Sequence, residues 1–300
     1  MTGIEPKVGG TGRLLEICRQ AAQAARLAFQ SVEDRSLVGS RPGQYALDLD
    51  VDGPVVEVFL AAGIPVLSEE SGFTAALAPA PVPSPGPMPA SDPAPAPATA
   101  PAPAPATAQP GDSGGLLAVV DPVDGSTNAS RGIPWYATSL CVMDDSGPLV
   151  ALVEDLTGGS SYHAVRDAGA WKDGQAIAVS GISRLADSVV GMSGFPGRYL
   201  GWLQYRSLGA ASLDLCLVGE GALDAYVVTG RSRLGLWDYA AGMLICQEAG
   251  GAVGEVDGMD LVVREHGARR RIAAAATPEL LGEVLDRFRP ERSGNLSVAR

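Results

Sequence analysis

Long apolar runs are missing from this 300-residue chain, and none reaches the ~18 residues that a membrane-spanning helix needs. Positive charge is scarce: 22 Lys and Arg stand against 34 Asp and Glu, a formal charge of −12. Nucleic acid requires a basic face, so it is excluded as a partner. Cysteine is limited to Cys18, Cys141, Cys216 and Cys246, widely spaced among apolar neighbours. No pair has the spacing of a zinc or redox motif, and the four read as buried reduced thiols rather than as a disulfide framework. Met1 to Thr11 has no charged start followed by an apolar stretch. No secretory signal is therefore read, and a cytoplasmic location is expected. A phosphate ester would be repelled by so acidic a chain unless bound cations inverted the local field. The acidic excess therefore directs the search to places where carboxylates gather.

What the chain does have in quantity is Gly and Pro, 38 and 23 residues. Thirteen of the prolines fall between Thr74 and Gly115, where Pro and Ala alternate. A segment of that composition cannot pack a core, and it reads as a disordered surface insert at 74–115. Elsewhere the patterns are those of packed elements. Apolar spacing predicts helices over Gly12–Phe29 and Val51–Ala62, the second with Pro54 in its first turn. Strands are expected at Val66–Leu67, Leu116–Val120, Trp135–Met143, Pro148–Glu154 and Ser160–Val165. The second half alternates: strand Ser188–Met192, helix Ala211–Glu220, strand Ala225–Val228, helix Asp238–Ala249. Strands Ala252–Val256 and Arg271–Ala275 and helix Pro278–Arg287 follow. The expected organisation is an N-terminal α+β half over 1–180, a C-terminal α/β half over 181–290 and a loose tail at 291–300.

Three acidic motifs sit where these elements begin or end. Ser68-Glu69-Glu70-Ser71-Gly72 follows a strand, Asp121-Pro122-Val123-Asp124-Gly125-Ser126-Thr127-Asn128 follows another, and Trp237-Asp238-Tyr239-Ala240-Ala241-Gly242 opens a helix. Loops at the edge of a sheet are where sites are built. In the second motif the proline stiffens the turn, so that Asp121 and Asp124 face one cavity with the Val123 carbonyl free between them. Hard oxygen ligands of this kind suit Mg²⁺. Gly125 and Ser126 expose backbone N–H groups at the start of the next segment, a cradle for phosphate.

Asp121 to Asn128 closely resembles the signature Asp-Pro-Ile/Leu-Asp-Gly-Thr-Thr-Asn of the inositol monophosphatase family. Glu69-Glu70 resembles the family's upstream Glu-Glu, and Trp237 to Gly242 its downstream Trp-Asp-x-Ala-Ala-Gly. Arg166 to Ser180 and Gly209 to Cys216 match as well, so the resemblance covers nearly the whole chain outside the insert and the tail. It implies an α/β fold, a layered αβαβα sandwich with an antiparallel sheet in the first half and a mixed one in the second. It implies a phosphomonoesterase with two or three Mg²⁺ per site, inhibited by Li⁺, acting on a small phosphorylated metabolite, and commonly a homodimer. Glu70, Asp121 and the Val123 carbonyl would hold one metal, and Asp121, Asp124 and Asp238 a second. Asp48, Ser126 and Glu70 would be catalytic, Gly125 and Ser126 would meet the phosphate, and Gly209 and Ala210 the substrate. Asp48 is preferred over Asp50 and Asp52 as the water-activating residue because Asp52 follows it by four positions; Asp50 and Asp52 otherwise read as acids that favour a helix N-terminus.

The sequence departs from the family pattern in ways that bear on substrate. Ser126 replaces the usual Thr, keeping the hydroxyl and losing the methyl that fixes its rotamer. Ala129 replaces the usual aromatic. Val227, Val228 and Thr229 stand where inositol-selective members carry an acidic residue. Arg231 and Arg233 lie in a longer, basic connection, as partners for a second phosphate or carboxylate or as solvated loop arginines. Inositol 1-phosphate is the default substrate, with fructose 1,6-bisphosphate, 3′-phosphoadenosine 5′-phosphate and histidinol phosphate as alternatives; a non-catalytic relative that binds metal and phosphate is the alternative from another class. His163 and His266 are not expected as ligands, since hard-ion sites favour oxygen. Both follow Ser113 in the chain, so Gly111-Asp112-Ser113-Gly114-Gly115 lacks the upstream His that a trypsin-like nucleophile needs. Replacing Ser113 with Ala is therefore expected to leave phosphate release unchanged, and loss of activity in that variant would count against a metal-based site.

Overall fold

A computed structural model describes residues 10–37, 44–76 and 115–289. Nearly all of the Pro/Ala insert, Ser113 and the 291–300 tail lie outside the described residues. Helix α1 (Gly10–Ser31) buries Leu14, Leu15, Cys18, Ala21, Ala25 and Phe29 along one face. Helix α2 (Ala46–Ala61) begins well before the expected Val51. Tyr45 is its N-cap, and Asp48 in the first turn accepts the Tyr45 N–H at 3.0 Å. Pro54 is thus in the helix interior rather than in its first turn. It is tolerated because Asp50, whose carbonyl loses a donor, faces solvent beside it.

The first sheet takes most of the described residues between Val66 and Ala176. Its strands are β1 (Val66–Ser68), β2 (Gly72–Thr74), β3 (Leu117–Asp124), β4 (Ala137–Asp144), β5 (Gly147–Asp155), β6 (Ser161–Val165), β7 (Gly169–Lys172) and β8 (Gln175–Ala176). Helix α3 (Ser126–Arg131) lies between β3 and β4. The spatial order is β2-β1-β3-β4-β5-β6-β7-β8, antiparallel throughout except for the parallel pair β1–β3. β2 uses Thr74, which the sequence assigned to the insert. β3 runs four residues past the expected end and carries the second acidic motif inside a paired strand.

The second sheet contains β9 (Val189–Ser193), β10 (Gln204–Arg206), β11 (Ala225–Val228), β12 (Ala252–Glu255) and β13 (Ile272–Ala275), in the order β10-β9-β11-β13-β12. β10, β9 and β11 are parallel, and β11, β13 and β12 antiparallel, the mixed pattern expected. Helices α4 (Ala211–Gly219) and α5 (Leu236–Glu248) fill the space between the sheets, and α6 (Pro278–Phe288) covers the outer face of the second. With α1 and α2 on the outer face of the first sheet, the layers read αβαβα.

Strand alternation sorts the core. Leu117 and Val119 of β3 pack toward α4 and α5, whereas Ala118 and Val120 pack toward α1 and α2. The middle layer depends on a close helix pair. A Cβ on Gly242 of α5 would lie 2.6 Å from Leu215 Cβ and 2.9 Å from Ser212 O of α4. Gly242→Leu is expected to lower unfolding free energy by about 2–3 kcal/mol through overpacking, measured by urea denaturation; an unchanged midpoint would show that α4 and α5 can separate freely.

Candidate metal centre

The centre is assembled by strand register. β1 and β3 run parallel with Ser68 beside Val120. The next residue on each, Glu69 and Asp121, therefore emerges next to the other, and Glu69 N donates to Val120 O at 3.0 Å. On the other flank Asp121 pairs with Ser139 of β4. Ser139 Oγ donates to Trp237 O at 3.0 Å, which fixes where α5 begins. Asp238, in the first turn of α5, accepts the Gly235 N–H at 2.6 Å. The outcome is that carboxylate oxygens of Glu69, Asp121 and Asp238 all lie within 4.8 Å of one another.

Asp124 joins from the same side through an irregularity in the β3–β4 ladder between Asp121 and Asp124. Strict alternation would put Val123 on the face of Asp121. Instead Val123 packs in the α1/α2 core, and Asp124 Oδ2 accepts Ser212 N at 2.7 Å and Ser212 Oγ at 2.6 Å at the start of α4. The turn itself is tied by Val123 N donating to Asp121 Oδ1 at 3.1 Å.

Asp48 and Glu70 form a second group beside the first. Asp48 is buried; its Oδ2 accepts Tyr45 N, and its Oδ1 has no hydrogen-bond partner among the described residues. The Ser126 hydroxyl and the charges of Glu70 and Glu69 act on it. Glu70 accepts Gln44 Nε2. The sequence put Glu70 among the metal ligands; the structure brings Glu69 to Asp121 and Asp238 and turns Glu70 toward Asp48. A Glu-Glu pair at a strand end points in two directions, and only the β1–β3 register shows which residue faces Asp121. Asp50 is exposed, and Asp52 accepts Ser68 Oγ, so Asp52 anchors the Glu69-Glu70 turn instead of serving a helix terminus.

The motif turn is closely walled. Gly125 has φ +87°, and a Cβ there would sit 3.0 Å from Trp135 O and 3.1 Å from Gly209 O. Gly209 has φ +97°, and its Cβ would meet Asn128 Nδ2 at 2.9 Å. Asn128 Nδ2 donates to Trp135 O and Leu208 O, both at 2.8 Å, locking α3 against the Gly209-Ala210 segment. Arg231 is exposed, and Arg233 bonds back to Gly230 O and Ser232 O of its own loop. Neither joins the carboxylates. Two contributors were visible only as parts of a matching stretch: Ser212, and Asp214, which is buried with Trp135 Nε1 donating to its Oδ1 at 2.9 Å. His266, on a loop, has Nε2 3.0 Å from Glu69 O and its ring against Trp237, so it braces the turn.

Burial and mutual repulsion dominate the electrostatics. Burial pushes Asp48 up to about 8, with Glu70 and Glu69 adding to it. Burial, Glu70 and Asp124 push Glu69 up to about 7. Burial takes Asp124 to about 6 against the donors of Ser212. Asp121 and Asp238 are raised by burial and by Glu69 and Asp124. An all-oxygen donor set, held together against its own repulsion and lined by an unpaired buried carboxylate oxygen, fits a hard divalent cation.

A family model described as the inositol monophosphatase family matches residues 99–291. The chain is 31% identical over 172 residues to a fructose-1,6-bisphosphatase/inositol-1-monophosphatase of Archaeoglobus fulgidus, covering 56% of this chain and 67% of that one. It is 36% identical over 155 residues to an inositol-1-monophosphatase of Mesorhizobium japonicum, covering 47% of this chain and 57% of that one. Among solved structures, an inositol monophosphatase from Anabaena superposes with a TM-score of 0.68 at 22% identity, over 94% of this chain and 98% of that one.

The raised carboxyls make metal-free stability pH-dependent. Their folded pKa values exceed the unfolded ones, so the folded state holds protons more tightly. That stabilisation is present below the unfolded carboxyl range and is lost as pH rises through about 6 to 8. In EDTA the melting temperature is expected to fall between about pH 5 and pH 8, and saturating Mg²⁺ to reverse the fall. A melting temperature flat across that range in EDTA would contradict the crowded cluster.

Proposed function

The chain belongs to the inositol monophosphatase family, and on that premise we propose that it is an Mg²⁺-dependent phosphomonoesterase whose default substrate is inositol 1-phosphate. The observation that carries the reading is the convergence of Glu69, Asp121 and Asp238 oxygens within 4.8 Å, with Asp124 adjoining. These four side chains would hold two or three Mg²⁺. When bound, the cations would supply Lewis-acid charge that makes a water nucleophilic and offsets charge on the phosphate.

The protein groups around them divide the remaining work. Asp48, whose Oδ1 is buried and has no hydrogen-bond partner among the described residues, would take the proton of the attacking water. The Ser126 hydroxyl orients that water. The first-turn N–H groups of α3 have no intrahelical partners and receive a phosphate oxygen. Gly125 and Gly209 keep this turn free of side chains, and Ala210 closes its wall. Asp124, anchored by two donors from Ser212, keeps its second oxygen for the cations. The proposal extends to a homodimeric assembly. Relatives named fructose-1,6-bisphosphatase/inositol-1-monophosphatase favour fructose 1,6-bisphosphate as a second substrate.

Phosphate release from both compounds is expected with Mg²⁺, lost with EDTA and inhibited by Li⁺. Asp121→Asn is expected to lower kcat by about 10³-fold or more while the circular dichroism spectrum is unchanged. Turnover within a factor of ten of the parent in that variant would reject the assigned centre.

A further inference from the structure

Five arginines gather beyond the C-terminal ends of β9 and β11. Arg198, Arg233, Arg271, Arg287 and Arg289 line a cavity of about 460 Å³ there, in a chain of formal charge −12. Two of them are committed to the fold. Arg271 is 5% exposed and donates to Asp257 Oδ1, Phe288 O and Val228 O at 2.9, 3.1 and 3.3 Å. Arg233 bonds to its own loop and lies 3.9 Å from Asp257. Arg289 donates only its Nε, to Val256 O at 3.2 Å, and Arg287 makes no side-chain hydrogen bond or ion pair, among the described residues. Guanidinium forks left open in this way match phosphate.

The adjoining cavity, about 670 Å³, shares Pro196 and Arg198 with the first and is walled by Phe195, Tyr199, Trp202 and Tyr205. Phe195, Tyr199 and Tyr205 are 78%, 67% and 57% exposed, a large aromatic surface left to water. Trp202 holds the wall in shape. Its ring meets Tyr199 and Tyr205 edge-on at centroid distances of 5.0 and 5.9 Å. It also stacks on Phe288, a wall residue of the arginine cavity, at 6.3 Å. The two cavities therefore share wall residues and a ring contact, and each lies within the roughly 300–1,000 Å³ of small-molecule sites.

We propose that they form one site for a planar aromatic ring joined to a phosphate, the chemistry of a nucleotide. The ring lies against the aromatic wall, and Arg287 and Arg289 take the phosphate. The site is joined to the metal centre along the chain. Ser207 of the aromatic wall leads into Gly209, and the loop after Thr229 leads from the arginine cavity to the cap of Asp238. Resting on the phosphatase reading of that centre, the occupant is either the leaving group of a substrate or a separate nucleotide.

Calorimetric titration of the intact protein with AMP in EDTA reads this site while the metal centre is silent, so its failure is distinct from failure of the phosphatase reading. Saturable one-to-one binding is expected, weakened about tenfold or more by Arg287→Ala with Arg289→Ala and by Tyr205→Ala. Inositol 1-phosphate, with the anion and no ring, is expected to bind at least about tenfold more weakly than AMP in the same titration. With Mg²⁺ and turnover, competitive inhibition by AMP identifies the leaving-group pocket, and mixed inhibition or activation identifies a separate nucleotide. No binding at millimolar AMP, or binding unchanged in both sets of variants, overturns the proposal.

Discussion

Like charges crowded into a small dry volume repel one another strongly, and proteins keep such clusters only where something offsets them. Glu69, Asp121, Asp124 and Asp238 are such a cluster, and each is displaced toward its protonated form. Most of the surrounding architecture holds these groups where repulsion would separate them. The parallel β1–β3 register sets Glu69 beside Asp121, the β4 contact with Trp237 sets Asp238, and Ser212 sets Asp124. A divalent cation would remove the repulsion that this scaffold otherwise opposes.

The same constraint explains why the carboxylates come from such distant parts of the chain. No single helix or strand can aim three carboxylates at one point, because its side chains diverge with a period of 3.6 or 2. Convergence requires three segment ends, and a layered sandwich supplies them where one sheet's strand ends meet the start of a helix from the middle layer. The cost falls on the backbone in two places. The irregular ladder after Asp121 reverses strand alternation, and Gly125 and Gly209 adopt left-handed conformations against carbonyls and an amide that leave no room for a side chain.

Much of this was legible in the sequence because strong local patterns are short-range. The strand expected at Ala225–Val228 is the one observed, and the helices expected over Ala211–Glu220 and Pro278–Arg287 match α4 and α6 to within a residue at each end. The three acidic motifs could be read as a centre because their order and spacing are distinctive. What the sequence could not resolve depends on contacts between segments. Choosing Glu69 over Glu70 requires the β1–β3 register. The start of α2 at Ala46 requires knowing that Asp48 caps its own helix, since Asp48-Leu49-Asp50-Val51-Asp52 alternates like a strand. β10 is three exposed residues with no period to detect, and it forms because β9 lies beside it. Arg233 was read together with Arg231, yet its partners are its own loop and Asp257, which lies far along the chain.

The central claim is that the cation is held by Glu69 with Asp121 and Asp238. The most direct measurement is Mn²⁺ binding to the intact protein, followed by electron paramagnetic resonance, in Glu69→Gln and Glu70→Gln. The account predicts that Glu69→Gln loses the tight Mn²⁺ site, weakening it by about tenfold or more, while Glu70→Gln keeps it within a few-fold. Tight binding that survives Glu69→Gln and disappears in Glu70→Gln would contradict it.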